Sequence, residues 1–390
     1  MTKKIVLLLL ILAAWSCTTL DPNQDPNPSY TVDGRYGNYV SDTLYAIADS
    51  INPVGYAVTG FADKLIVGNL GGIDAGFLIN FVDLPADTVV VDSAFVNLTT
   101  VNSFGNNATD KVDVEFYTVL ETWDSYADTI STWRNPPLGE MLGQVSIAIK
   151  DSSKNKLKIP DDVFYKWRSE NDSLNTGLYV KLSDSYKDVV CEFGSLSSSN
   201  VPFLTYHTHT DTSSLIDTML TSRDVTIFNY DSFMSPALEH EENTILISSG
   251  VINNILLKFD LDQIPADAIY YSADLILTGT DKSDYENPEN KSSFLLRPVE
   301  DITSGEYSPN KSIGMIADGS EAIINGTYKS IFASDVIQEI KNGSYTHQWF
   351  SFSFLTTDED LSVKYYYGAK ADLSVAPKLI VKYLKANNQE

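Results

Sequence analysis

The sequence predicts an all-β protein built from two tandem antiparallel β-sandwiches, each with one short helix. Two observations support this fold class. One half of the 390-residue chain repeats the pattern of the other, and apolar residues alternate with polar ones in short runs in both copies. Glycine, asparagine, aspartate and proline separate these runs, which indicates short strands joined by turns. Each sheet then has one apolar face, which must pack against a second sheet.

Residues 1–16 indicate an export signal peptide, because the basic MTKK is followed by an apolar run and a small residue. The run IVLLLLILAAW has eleven residues, whereas a membrane-spanning helix needs about 20. Ala14-Trp15-Ser16-Cys17 resembles the lipobox of bacterial lipoproteins, although Trp15 is bulkier than the usual residue there. We expect Cys17 to be the lipid attachment site. The alternative is an ordinary secretory signal.

Residues 17–35 predict a flexible tether, because prolines stand among asparagine, aspartate and glutamine. At roughly 3.1 Å per residue, this tether would hold the folded part up to about 50 Å from the membrane. Thr18 stands where retained lipoproteins have aspartate, which resembles proteins sorted to the outer membrane. The expected location is the outer membrane or the cell surface, with the membrane contacted through the lipid anchor.

The internal repeat is collinear over most of the chain. Its matched pairs keep an offset between 173 and 180 residues: Phe77 with Ile255, Pro85 with Pro265, Leu98 with Leu277, Val119 with Val299, Val163 with Val336, Gly194 with Gly368 and Pro202 with Pro377. Small insertions in loops explain the drift. The predicted division is a first sandwich at residues 36–208, a linker at 209–221, a second sandwich at 222–384 and a tail at 385–390.

The alternation predicts strands with one buried face and one solvated face. Three runs show it: Val114, Phe116 and Leu120 with Glu115 and Glu121; Leu178, Val180 and Leu182 with Tyr179, Lys181 and Ser183; and Phe350, Phe352 and Phe354 with Ser351 and Ser353. One helix interrupts the strands at equivalent places in the two copies. Asp161 or Asp162 would cap the first, and Ser334 would cap the second, which Gly343 would end.

Several stretches of the first copy resemble a known family. They are GFLINFVDLPADTVVVDSAFVNL, TWRNPP from Thr132 to Pro137, NTGLYV and FGSLSSSNVPFLTY. They resemble the DNRLRE-type domain, a jelly-roll-like β-sandwich of exported bacterial proteins. The second copy lacks the TW-N-P segment, so its membership rests on the internal repeat. Some family members look like carbohydrate-binding modules of polysaccharide-degrading enzymes, and the resemblance therefore implies a glycan ligand.

Charge and cysteine content narrow the class of protein further. The net charge is -25, from 52 acidic and 27 basic residues, which argues against nucleic acid as a partner. The acidic residues are spread along the chain, as is typical of a soluble surface. Cys191 is the only cysteine besides Cys17. We expect no internal disulfide, with Cys191 a small buried apolar residue.

The sequence contains no catalytic motif of the common kinds. It has no GxSxG elbow, no P-loop lysine and no HExxH, and His240-Glu241-Glu242 lacks the second histidine that zinc would need. The glycine-rich GNLGGIDAG at Gly68 to Gly76 precedes a strand, so a hairpin is expected rather than a phosphate-binding loop. Carboxylate pairs for glycoside hydrolysis depend on spacing in the folded chain. We predict no catalytic residues.

Two groups of residues have the chemistry of metal ligands. His207 and His209, with Asp211 nearby, point the same way from a predicted strand. They border the predicted linker, and we expect them to face solvent. A second group forms an acidic loop: Asp281, Asp284, Glu286 and Glu289. It lacks the residue order of a defined calcium loop, so a solvated loop is expected. We predict no metal site and no cofactor, with structural calcium as the open alternative.

Aromatic residues are the remaining ligand candidates, because sugar rings stack on exposed tryptophan and tyrosine. Trp123 and Trp133 are expected to pack in the core or brace a loop. Tyr365 and Tyr367 share one face of a strand and Tyr366 takes the other, so at least one face is expected to meet solvent. The sequence does not identify the ligand-binding residues.

The functional prediction is a non-catalytic surface lipoprotein whose two sandwiches bind polysaccharide. A structural or adhesive cell-envelope protein, with other envelope proteins as partners, is the alternative interpretation. A polysaccharide-degrading enzyme is the third.

Overall fold

The computed structural model describes most of the chain after the predicted tether. The described residues are 36–86, 89–105, 107–125, 135–168, 175–210, 213–230, 241–280, 294–301, 308–309, 315–317, 337, 340–343, 348–355 and 360–386. They form two curled antiparallel sheets and helix α1 (Asp161–Trp167), and Ile337, Ile340 and Lys341 are also helical. The predicted all-β fold with two sandwich-like units is confirmed. Cys17 and the predicted signal peptide and tether lie outside the described residues.

The 11-stranded sheet and the 10-stranded sheet divide the strands between them. The first contains β2 (Lys64–Leu70), β3 (Ile73–Asn80), β4 (Val91–Phe104), β5 (Lys111–Val119), β6 (Leu138–Ala148), β7 (Lys154–Ile159), β8 (Leu178–Leu182), β9 (Val189–Gly194), β10 (Phe203–Thr210), β11 (Ser213–Leu220) and β12 (Arg223–Tyr230). The second contains β1 (Tyr36–Tyr56), β13 (Thr244–Ser248), β14 (Val251–Phe259), β15 (Ile269–Ile276), β16 (Phe294–Asp301), β17 (Ser308–Pro309), β18 (Met315–Ala317), β19 (Trp349–Phe354), β20 (Val363–Tyr367) and β21 (Lys378–Ala386). We call these units the first half (β2–β12) and the second half (β1 and β13–β21).

Each sheet curls around its own apolar core because one long strand changes partners. Strand β4 pairs with β7 as far as Thr99 and with β9 from Thr100 onward. Strand β1 pairs with β21 as far as Tyr45 and with β14 from Ala46 onward. The alternate side chains of these strands are buried in two separate clusters, one in each half. Burial of these apolar faces is the main stabilisation of each sandwich.

Strand pairing shows that β11 and β12 together are the counterpart of β1. Leu44 of β1 pairs with Leu379, and Met219 of β11 pairs with Leu204. Farther along the chain, Ile51 of β1 pairs with Ile255 of β14, and Thr226 of β12 pairs with Phe77 of β3. Leu204 and Leu379 are equivalent in the repeat, and so are Phe77 and Ile255. Their pairing partners are therefore equivalent too: Leu44 matches Met219 and Ile51 matches Thr226, and each match is 175 residues apart. The repeat is therefore present in the sheet topology.

The sheets group the chain differently from the predicted linear division. Strand β1 lies within residues 36–208 but belongs to the second half, and β12 lies within residues 222–384 but belongs to the first. The predicted linker at residues 209–221 contains β11, which pairs with β10 along its length. A repeat identifies equivalent segments, but it does not say which segment pairs with which. Each sandwich is closed here by the opening segment of the other sequence copy.

Local features include one confirmed prediction and one wrong one. Gly71 and Gly72 have φ values of 57° and 84° in the turn between β2 and β3, which confirms the predicted hairpin. Helix α1 follows Pro160, whose φ of -58° suits a helix start, and no side chain caps it. The predicted cap by Asp161 or Asp162 is wrong, because both residues lie in the first turn. Ser334 lies outside the described residues.

The alternation rule holds for most predicted strands. Phe350, Phe352 and Phe354 are buried, as are Val114 and Phe116. Leu120 is 66% exposed instead of buried. The pairing of β5 with β6 shifts register twice near Tyr117, and Val119, 3% exposed, takes the inward position. Register shifts of this kind leave no clear signal in the alternation.

A third apolar cluster joins the two halves. Ile66, Phe104 and Val190 of the first half pack with Leu246 and Val363 of the second. We call this cluster the junction.

Candidate functional site: a tyrosine-lined cleft in the first half

The cleft lies where β3 changes partners. Residues 73–75 of β3 pair with β2, and residues 76–79 pair with β8. Strand β2 continues along β9, whereas β8 continues along β5, so the sheet divides at this point. A cavity of about 330 Å³ opens beside the division. This volume lies at the lower end of the range of small-ligand sites.

Two tyrosines line the cleft from adjacent strands. Tyr117 of β5 pairs directly with Tyr179 of β8, so their side chains project from the same face. Both side chains are partly exposed. Tyr179 also packs against a small apolar cluster that includes Leu78, Val225 and Ile227. These contacts restrict the ring, which lowers the entropy cost of stacking a ligand on it.

Glycines in the hairpin make room for this arrangement. A Cβ atom at Gly76 would lie 2.3 Å from the Tyr179 hydroxyl oxygen and 2.8 Å from the Val180 carbonyl oxygen. A Cβ atom at Gly68 would lie 2.5 Å from the Val189 carbonyl oxygen. A side chain at either position would therefore clash with these oxygen atoms. The glycine-rich stretch therefore allows close strand packing and leaves space for Tyr179, in addition to forming the hairpin.

The polar groups of the cleft are centred on Lys181. Its Nζ atom lies 3.0 Å from Asp184 Oδ1 and 3.3 Å from Glu115 Oε2. Burial acts to lower the pKa of Lys181, but the hydrogen bond to Asp184 and the charge of Glu115 raise it above its usual value. The ammonium is therefore retained and is shared between two carboxylates. Its charge is largely balanced by protein groups.

Hydrogen bonds also order the other polar side chains. Tyr117 Oη donates to Glu115 Oε2 at 2.7 Å, and burial together with this hydrogen bond raises the pKa of Tyr117. Asn229 Nδ2 donates to Asn135 Oδ1 at 2.9 Å, and both residues line the cleft. The lining also includes Asp74, Asp184 and Pro136. The cleft thus combines aromatic ring faces with carboxylate, amide and hydroxyl groups, a combination suited to a hydroxyl-rich ligand.

The candidate metal ligands are placed as ordinary surface groups. His209 Nδ1 lies 2.6 Å from Asp92 Oδ1, and the His207 ring packs edge-on against Phe95 with centroids 5.9 Å apart. Across the part of the chain that the structure describes, no three metal-binding side chains are grouped. Asp211, His240 and the acidic loop lie outside the described residues.

The aromatic candidates follow packing rather than ligand binding. Trp123 is 6% exposed and its Nε1–H donates to the Thr176 carbonyl at 2.8 Å, which confirms the predicted structural role. Trp133 lies outside the described residues. The predicted solvated face of the tyrosine run is wrong at Tyr365 and Tyr366, which are 7% and 5% exposed. Tyr366 packs into the second half and Tyr365 into the junction, so β20 is covered on both faces.

Cys191 is fully buried in the core of the first half, as predicted. Burial raises the pKa of its thiol to about 12. The thiol is therefore inert in the folded state at neutral pH. Its role is packing.

The cleft residues were visible in the sequence only as members of solvated faces. Tyr179 and Lys181 stand on one predicted polar face and Glu115 on another. Nothing in the alternation shows that these two faces are adjacent. The strongest available signal was that Asn135 and Tyr179 belong to TWRNPP and NTGLYV, the stretches that carry the family resemblance. Asn135 and Pro136 of the first stretch and Tyr179 of the second line the cleft.

Comparisons with known proteins identify no family for this chain. No family model matches it, and no curated protein matches it. Among solved structures, the Macrobrachium rosenbergii nodavirus shares 11% identity over 95% of this chain and 96% of its own, with a TM-score of 0.12. A TM-score this low supports no inference about fold or function. Within the described residues, every helix falls short of the length and apolar character needed to cross a membrane.

Proposed function

We propose that this protein is a non-catalytic surface lipoprotein that binds polysaccharide in the cleft of the first half. The observation that carries the proposal is the pairing of Tyr117 with Tyr179 beside Lys181, Asp184 and Glu115. Aromatic rings stack on the apolar faces of sugars, and flanking carboxylates and amides accept and donate hydrogen bonds to their hydroxyl groups. The resemblance of the first copy to a DNRLRE-type domain supports the same ligand class.

The arrangement of the carboxylates supports binding rather than hydrolysis. A glycosidase needs one carboxyl group to give a proton to the leaving oxygen and a second to act as base or nucleophile. Glu115 and Asp184 instead bind the same ammonium group, and Glu115 also accepts from Tyr117. In these contacts both carboxylates accept hydrogen bonds, and neither donates a proton.

The binding proposal is tested by affinity electrophoresis through gels that contain soluble polysaccharides of different backbones. Tyr117→Ala and Tyr179→Ala should each weaken retardation by about tenfold, because each removes one stacking surface of about 1.4 kcal/mol. Ser351→Ala is the matched control. Ser351 pairs with Leu256 of the second half as Tyr179 pairs with Leu78 of the first.

The control should bind as the unaltered protein does. Equal binding by the tyrosine variants would contradict the proposal, as would failure of the unaltered protein to bind any polysaccharide. Release of new reducing ends would contradict its non-catalytic part.

Anchoring is tested separately through Cys17. Cys17→Ser should move the protein from the membrane fraction to the soluble fraction of the envelope, because two or more acyl chains are needed for stable anchoring. Ser16→Ala, which keeps the cysteine, is the control. Unchanged membrane association of Cys17→Ser would contradict the lipid anchor and leave the cleft proposal intact.

A structural or adhesive role is the second candidate, and the junction favours it. The apolar cluster shared by Phe104, Val190, Leu246 and Val363 joins the two halves, which suits a protein that holds envelope components together. Strand β1, which follows the predicted tether directly, is hydrogen-bonded to both β21 and β14. Crosslinking in intact envelopes distinguishes the candidates. A strictly monomeric protein without crosslinked partners would contradict the structural role.

A further inference from the structure

We infer that the cleft selects uncharged glycans and rejects glycans that carry carboxylate or sulfate groups. This inference rests on the proposed function and adds the ligand class. It starts from the balance of charge around Tyr117 and Tyr179. The described groups near them include the carboxylates of Asp74, Asp184 and Glu115, against the single ammonium of Lys181.

Lys181 is the group that would otherwise recognise an acidic sugar. Its ammonium already contacts Asp184 at 3.0 Å and Glu115 at 3.3 Å, and it lies 5.9 Å from the Tyr117 ring centroid. The ammonium has three N–H donors, and these contacts use two of them. A uronate bound to the third would bring another carboxylate beside Asp184 and Glu115, whose two negative charges already exceed the one positive charge of Lys181. Lys181 therefore offers an acidic glycan no net ion pair.

The remaining charges oppose an anionic ligand. Asp184 has a side chain that is 92% exposed at the cleft, and Asp74 is also exposed. The whole chain carries a net charge of -25, which adds a long-range repulsion. Carboxylate oxygens nevertheless accept hydrogen bonds from neutral sugar hydroxyls. The same groups that repel a uronate therefore favour an uncharged sugar.

The test uses matched glycan pairs that share a backbone and differ in charge. Suitable pairs are β-1,4-glucan with β-1,4-glucuronan, mannan with mannuronan, and methyl-esterified with de-esterified galacturonan. Binding is measured by titration calorimetry of the full mature protein at low and moderate salt. In the pair whose neutral member binds, the acidic member should bind on the order of tenfold more weakly, and added salt should narrow the difference.

A double variant tests whether the cleft carboxylates cause the selection. Asp74→Asn with Asp184→Asn should reduce the ratio of neutral to acidic affinity several-fold, because it removes the repulsion next to the ligand. Asp151→Asn with Asp267→Asn is the control. It changes the net charge by the same amount at exposed positions outside the cleft lining and should leave the ratio unchanged.

Three outcomes would overturn the inference, and they are distinguishable. If the acidic member of a pair bound as tightly as the neutral one, the selectivity would be wrong while the polysaccharide-binding function stood. If both double variants changed the ratio equally, overall charge rather than the cleft would set it. If no glycan of either kind bound, the proposed function would fail together with this inference.

Discussion

The two halves share a strand topology but present different outer faces at equivalent positions. In the first half, Tyr179 stands between Leu78 and Tyr117. In the second, Ser351 stands between Leu256 and Arg297. Ser351 is only 3% exposed, so this position offers no ring and little surface to a ligand. The duplication therefore preserved the framework and not the binding face.

The closing segments of the two halves differ in a second way. Strand β1 runs unbroken from its pairing with β21 to its pairing with β14. Its counterpart is divided into β11 and β12, with Thr221 and Ser222 between them. Strand β11 lies largely exposed, whereas the corresponding part of β1 buries Leu44 and Ala46. The second half thus depends more heavily on its closing segment than the first half does.

The largest expected effect tests this dependence. Leu44→Ala should lower the free energy of unfolding of the second half by about 2–5 kcal/mol, because Leu44 is 2% exposed in its core. Met219→Ala is the matched variant at the equivalent position of β11, where the side chain is only partly buried. Met219→Ala should lower the free energy of unfolding of the first half by about 1 kcal/mol. Urea unfolding followed by tryptophan fluorescence and circular dichroism measures both. Equal losses would show that the two segments contribute equally.

The fold class was accessible from the sequence because burial imposes the period of two that the sequence displays. Phe350, Phe352 and Phe354 show this directly, since all are buried in one core. The assignment of β1 was not accessible, because the same repeat is compatible with closure by either copy. The cleft was not accessible for a related reason. Tyr117 and Tyr179 are 62 residues apart in sequence, and only the strand register makes them neighbours.

The next effect concerns the junction, where buried acidic groups from both halves meet. Glu192 has a fully buried side chain and binds Lys64 at 2.8 Å. Burial raises the pKa of Asp360 to about 6; the charge of Glu192 raises it too, while Ser362 and Lys64 act to lower it. The folded protein therefore holds a proton that the unfolded chain releases near pH 4. Stability should fall as pH rises from about 4 to 6, by on the order of 3 kcal/mol for this group.

Asp360→Asn removes the charge that causes this loss. Relative to the unaltered protein, the variant should gain stability between pH 4 and pH 7, as measured by urea unfolding at several pH values. Asp224→Asn provides a comparison within the first half, because burial also raises the pKa of Asp224 to about 6. Two pH profiles that run parallel for Asp360→Asn and the unaltered protein would mean that Asp360 is not protonated in the folded state.

The smallest expected effect concerns coupling between the halves. It tests whether unfolding of the second half destabilises the first half through the junction. In a Cys17→Ser background, Cys191 is the only thiol, and it is fully buried beside Val190 of the junction. Its labelling by a thiol reagent at pH 8 therefore reports opening of the first half. Adding Leu44→Ala, which acts in the second half, should speed this labelling, but by a smaller factor than it raises the unfolded fraction of the second half. Val190 and Phe104 lose their partners Leu246 and Val363 when the second half opens, whereas the core around Cys191 keeps its own contacts. An unchanged labelling rate would show that the junction connects the halves without coupling their stability.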